Sequence, residues 1–119
     1  MAKVLVVDDE PDERFLLRRT FELAGHEVRE ASDGAEALRV DREFGPDLIV
    51  TDLMMPVMDG AELIQRLRAE PVTAGVPVLV SSFHSELVEG ADAAVPKTRS
   101  FDEVLDAAET LLNRGGKLC

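Results

Sequence analysis

Short apolar runs and amphipathic stretches alternate along this chain. Lys3 to Val7 is a brief β-branched run, which predicts a buried strand. Pro11 suits the first position of a helix, where its missing N–H has no partner to lose. Phe15, Leu16, Leu17, Thr20, Phe21, Leu23 and Ala24 then predict a helix with a broad apolar face, stopped by Gly25. His26 to Ala31 predicts a weaker second strand. Asp33 and Glu36 have capping-box spacing and open a second helix. Its inward stripe of Ala37 and Leu38 is interrupted by Asp41. After Pro46, Asp47 to Thr51 predicts a central strand, apolar on both faces. Asp59 and Glu62 open a third helix carrying Leu63, Ile64 and Leu67, ended at about Glu70 by Pro71. Val76 to Val80 predicts a fourth strand, with Pro77 near its start, where a lost donor is tolerated. Ala91 to Val95 predicts a short fifth. Ser100 and Glu103 open a last helix whose apolar face is Phe101, Val104, Leu105, Ala108, Leu111 and Leu112.

Strict alternation of strand and helix predicts an α/β fold: a doubly wound parallel sheet covered by helices on both faces. In such sheets ligands bind beyond the carboxyl ends of the strands. One crossover is anomalous. Only Ser81 to Gly90 joins strands four and five, and a full parallel crossover needs about a dozen residues or more. The fourth helix is therefore expected to be shortened or missing.

Length and charge narrow the classes. At 119 residues the chain fits one domain, expected over 1–113, with 114–119 a tail or linker stub. The core must be mainly aliphatic, since there are five Phe but no Trp or Tyr. A formal net charge of −11 argues against nucleic-acid and anionic-membrane partners. Cys119 is the only cysteine, so no internal disulfide forms, in keeping with a reducing cytoplasm. Val4 to Val7 is too short for a signal-peptide core, and no apolar run is long enough to span a bilayer. A cytoplasmic protein is the expectation.

The chemistry lies at the strand ends. Val4-Leu5-Val6-Val7 runs into Asp8-Asp9, Leu48-Ile49-Val50-Thr51 into Asp52, the fourth strand into Ser81-Ser82, and the fifth ends near Lys97. A parallel sheet brings these carboxylates, a hydroxyl and an ammonium to one edge, an inventory suited to a divalent cation and a phosphoryl group. Val-Leu-Val-Val-Asp-Asp-Glu-Pro at 4–11, Pro-Asp-Leu-Ile-Val-Thr-Asp-Leu-Met-Met-Pro-Val-Met-Asp-Gly at 46–60, and Gly90-Ala91-Asp92 seven residues before Lys97 resemble the response-regulator receiver domain of two-component signalling. The resemblance runs from Lys3 to about Asn113.

The resemblance implies a flavodoxin-like, five-stranded sheet of order 2-1-3-4-5. It implies that Asp52 takes a phosphoryl group from a phosphohistidine. Asp9 and Asp52 would ligate Mg²⁺ with the Met54 carbonyl, and Asp8 would act mainly through a metal-bound water. Ser82 would follow the phosphoryl group after transfer, with Ser81 as the alternative, and Lys97 would pair with a phosphoryl oxygen. The partners implied are a histidine kinase or histidine-phosphotransfer protein and a downstream protein. Such a receiver catalyses only its own phosphorylation and dephosphorylation. The donor chemistry agrees: Mg²⁺ prefers hard oxygen ligands, and a carboxylate is a competent covalent nucleophile.

Bland readings stand beside these. Asp9 alone would be a helix cap, Asp8 a solvated loop acid, Asp59 a cap, and Met54, Met55 and Met58 loop and core packing. His26 and His84 would be surface or loop residues, and Cys119 inert. There are also departures from the family pattern. Phe83 stands where the family has a small residue, Ala94 where it has a switching aromatic, and no proline follows Lys97. These departures, with the short crossover, keep an alternative open: a degenerate receiver acting as a phosphorylation-independent interaction module.

Overall fold

A computed structural model describes residues 1–82, 88–97 and 101–114, with only the backbone of Arg114. Five strands and four helices follow one another as β1 (Lys3–Val7), α1 (Pro11–Leu23), β2 (Glu27–Ala31), α2 (Gly34–Phe44), β3 (Leu48–Thr51), α3 (Gly60–Ala69), β4 (Val78–Ser82), β5 (Ala93–Pro96) and α4 (Phe101–Arg114). Every strand pair is parallel, and the sheet order is β2-β1-β3-β4-β5. The doubly wound, flavodoxin-like architecture and the 2-1-3-4-5 order are those expected.

The period-two alternation of the strands divides the core into two layers. Val4, Val6, Leu48, Val50 and Leu79 face Leu17 and Phe21 of α1 and Val104, Ala108 and Leu111 of α4. Leu5, Val7, Ile49, Val78 and Val80 face Ala37 of α2 and Leu63, Ile64 and Leu67 of α3. β3 is buried along its whole length, as a central parallel strand must be.

The helix starts follow their local chemistry. Asp33 caps α2 by accepting from the Glu36 amide at 2.8 Å, and Asp59 caps α3 by accepting from the Glu62 amide at 2.9 Å. α1 is capped by Glu10, which accepts from the Asp12 amide at 3.3 Å, so Asp9 is not its cap. The broad apolar face expected of α1 is corrected: only Leu17 and Phe21 are buried, while Phe15, Leu16 and Leu23 are exposed. An i, i+4 pair is enough to seat this helix on the sheet.

The last two strands start two residues later than expected, so Ser81 and Ser82 lie inside β4 rather than beyond it. The delay has a visible cause. Val76 donates its amide to Thr73 and so belongs to the turn after α3, and Asp92 donates to Val78, closing the approach to β5. Among the described residues no helix stands between β4 and β5. Phe83, His84, the Ser100 cap and the tail from 115 onward lie outside the described residues. No helix among the described residues is long and apolar enough to cross a membrane.

Candidate functional site

Register builds the site. Val7 pairs with Thr51, so Asp8 and Asp52 leave adjacent strands at the same level. The Asp52 amide donates to the Val7 carbonyl at 3.0 Å and the Asp8 amide to the Ala31 carbonyl at 3.1 Å, fixing both turns to the sheet. On the other side Ser82 pairs with Pro96, and the Lys97 amide donates to the Ser82 carbonyl at 2.8 Å. Four consecutive carboxyl ends thus converge on one edge, as strand order demands.

The side chains meet there. Lys97 Nζ lies 2.8 Å from Asp8 Oδ2 and 3.2 Å from Asp52 Oδ2, and its side chain is 5% exposed. The other oxygen of each acid is held locally: Asp8 Oδ1 accepts from the Glu10 amide at 3.0 Å, and Asp52 Oδ1 from the Leu53 amide at 2.7 Å. Asp9 is exposed, yet it offers an oxygen to the same group. Ligand atoms of Asp8, Asp9 and Asp52 all lie within 4.8 Å of one another. Ser81 and Ser82 are both buried on β4, and Met54 is exposed in the loop after β3.

The electrostatics follow from this enclosure. Burial pushes the Asp8 carboxyl above its ordinary range, against the pull of Lys97 and the Glu10 amide. Burial disfavours the Lys97 ammonium, but its contacts with Asp8 and the charges of Asp8 and Asp52 outweigh that and hold it above its usual range. Both directions express one fact: an enclosed pocket with more carboxylates than ammoniums favours added positive charge. Three carboxylates converging on a common point are hard oxygen donors, the set that suits Mg²⁺. The residues present therefore fit that ion.

Two supports were not read from the sequence. Arg14 donates from Nη1 to the Asp8 carbonyl at 2.7 Å and from Nε to Glu30 at 2.9 Å, bracing the β1 turn from α1. Glu13 places an oxygen 4.0 Å from Lys97 Nζ. No spacing signal marks either residue, because each acts across elements. Asp92, noted only as part of a motif, binds Arg68 at 2.9 Å and accepts the Val78 amide at 2.8 Å.

Comparison with known proteins agrees with this geometry. The sequence matches the response regulator receiver domain family over residues 4–109. The DNA-binding dual master transcriptional regulator RpaA of Synechocystis is 33% identical over 125 residues, covering 99% of this chain and 52% of that protein. The chain spans about half the length of the curated relatives it matches. The signal receiver domain of a signal transduction histidine kinase from Syntrophus aciditrophicus superposes with a TM-score of 0.91 at 28% identity, over 100% of this chain and 95% of that one. Response regulator TrrA from Thermotoga maritima, in complex with Mg(2+)-BeF, gives a TM-score of 0.85 at 31% identity, over 93% and 99%. Because RpaA binds DNA and extends well beyond the match, the exclusion of nucleic acid drawn from charge is not carried forward. With its strand order, its acidic edge and a family match across most of its length, this chain belongs to the response regulator receiver domains, the phosphoaccepting modules of two-component signalling.

Proposed function

We propose that Asp52 is the phosphoacceptor, taking its phosphoryl group from a phosphohistidine of a histidine kinase or histidine-phosphotransfer protein. The observation that carries this reading is the buried ammonium of Lys97 held between Asp8 and Asp52. An Asp52 oxygen attacks phosphorus, the P–N bond breaks, and its electron pair stays on the imidazole nitrogen. Lys97 already lies within reach of Asp52 Oδ2, so it is placed to shift onto a phosphoryl oxygen as charge builds there. Asp8, Asp9, Asp52 and the Met54 carbonyl would hold Mg²⁺, which supplies further positive charge against the phosphoryl oxygens. The Ser82 hydroxyl is the group assigned to follow the phosphoryl, with Ser81 its neighbour on the strand. Altered binding of a downstream protein is the output.

A second reading, a constitutive interaction module, draws on β5 and its approach. Ala94 leaves no aromatic ring on that strand, and among the described residues no helix stands between β4 and β5. Intact mass after incubation with acetyl phosphate, with and without Mg²⁺, separates the two. The first reading expects a Mg²⁺-dependent gain of one phosphoryl group, absent in Asp52→Asn. No gain, with no transfer from a phosphorylated kinase either, would establish the second.

A further inference from the structure

The stripe that seats α2 carries one residue of the wrong polarity. Gly34, Ala37, Asp41 and Phe44 are its buried positions, and Asp41 is only 6% exposed. An aliphatic side chain would satisfy that position. Asp41 instead places a carboxylate where no hydrogen-bond donor among the described residues reaches it, with its oxygens open to the cavity beside it. A carboxylate carried on a buried stripe without a partner is costly, so its surroundings bear on what it serves.

Asp41 lines a cavity of about 400 Å³ between the C-terminal ends of α2 and α3, at the edge of the sheet opposite Asp52. That volume falls within the range of about 300–1,000 Å³ typical of small-ligand sites. Its walls combine two characters. Pro46, Val72 and Val76 are apolar, and Val72 is 91% exposed with nothing covering it. Glu70 adds a second carboxylate, and its charge joins burial in pushing the Asp41 carboxyl upward. Arg42 also lines the cavity, pairs with Glu70 at 3.9 Å and draws the Asp41 carboxyl down, but burial and Glu70 outweigh it and the two acids outnumber it. Two helices also end here, and their dipoles add some negative character, although last-turn carbonyls such as those of Asp41, Phe44 and Leu67 already accept from Gly45, Lys3 and Thr73.

An excess of negative charge beside an aliphatic wall selects the ligand chemistry. A divalent metal fits poorly, since among the described residues only Asp8, Asp9 and Asp52 form a cluster of three ligating acids. We propose that this cavity binds an organic monocation, a primary ammonium or guanidinium on a short aliphatic stem, with Asp41 receiving the charge and Pro46, Val72 and Val76 covering the stem. The cation supplies the partner Asp41 lacks. A free alkylamine and a lysine or arginine side chain of another protein share this chemistry.

Amide NMR titration tests the site directly. The probes are n-butylammonium, n-butylguanidinium and a lysine-centred tripeptide, with tert-butanol in sodium chloride as the control for stem and salt alone. The expected result is saturable shifts confined to 41–46 and 70–76, with affinity falling about tenfold or more in Asp41→Asn, the scale of one lost charge-assisted hydrogen bond. Asp41→Leu, which completes the apolar stripe, is the second variant should the amide one fold poorly. Tighter binding of the tripeptide than of the free amines would identify a protein side chain as the source, and the reverse a free amine. Shifts that grow linearly without saturation, or that persist in both variants, would overturn the proposal.

Discussion

The Lys97 ammonium sits closer to Asp8 than to Asp52, at 2.8 Å against 3.2 Å, and both acids are buried. The lysine therefore neutralises Asp8 at least as much as it addresses the proposed phosphoacceptor. Removing it strands a buried carboxylate, and breaking such a pair costs about 3–5 kcal/mol. Lys97→Met, which keeps the stem and drops the charge, should lose about 3 kcal/mol in metal-free urea denaturation. Added Mg²⁺ should restore part of that loss. A loss under about 1 kcal/mol would mean that Asp8 tolerates isolation, and the pairing would then have little structural weight.

Gly60 opens α3 directly beneath the acidic edge. A Cβ there would overlap the Asp52 carbonyl oxygen and lie 3.0 Å from Leu53 Cα, both backbone atoms that cannot swing aside. Gly60→Ala should destabilise the fold by about 2–3 kcal/mol, the scale of core overpacking. It should also slow phosphoryl uptake by displacing Asp52. Gly75→Ala is the matched control. Its Cβ meets nothing within 4 Å, so a change within about 0.5 kcal/mol is expected. Equal losses in the two variants would remove the steric argument.

Much of this site was legible because its parts are local. Val4 to Asp9 and Leu48 to Asp52 each place an acid at the end of a buried run, and parallel pairing alone brings such ends together. The capping pairs Asp33 with Glu36 and Asp59 with Glu62 are likewise three-residue relationships, and the aspartate caps form as read, while Glu36 turns its side chain to Ser32 and Glu62 to Arg66 rather than closing the box. What failed depended on distant neighbours. Phe15, Leu16 and Leu23 looked like core, but α1 needs only Leu17 and Phe21 to seat itself, and nothing in the helix says which apolar residues will find a partner. The start of β4 was misplaced because the Val76 amide is taken by Thr73, a turn that apolar patterning does not encode.

Arg68 is the largest support that patterning could not reveal, since three of its partners are backbone carbonyls. It donates to Gly90 at 3.0 Å, Ala74 at 3.0 Å and Val76 at 2.7 Å, and to Asp92 Oδ2 at 2.9 Å. One guanidinium thereby ties the end of α3 to the approaches of both β4 and β5. Lysine keeps the charge but not the planar fork, so Arg68→Lys should lose about 2 kcal/mol. Amide exchange should speed up at Val78, whose N–H is held by Asp92. Wild-type stability and protection in Arg68→Lys would show that charge alone suffices.

Asp41 sets a pH dependence of opposite sign to that of an ordinary paired carboxylate. Burial, then the charge of Glu70, raises its folded-state carboxyl above the ordinary aspartate range, against the pull of Arg42. A group raised on folding contributes stability that is fully present below the unfolded value and lost as pH rises through the folded one. At neutral pH the wild-type protein therefore carries a penalty for ionised Asp41. Asp41→Leu, which continues the stripe of Ala37 and Phe44, should be more stable than wild type by about 1–2 kcal/mol at pH 7. The advantage should shrink on acidification into the ordinary aspartate range, as the wild-type carboxyl takes up its proton. Urea denaturation of both proteins across that window measures it. A constant advantage would assign the gain to packing alone, and no advantage at any pH would mean that the Asp41 carboxylate is better solvated in its cavity than its burial implies.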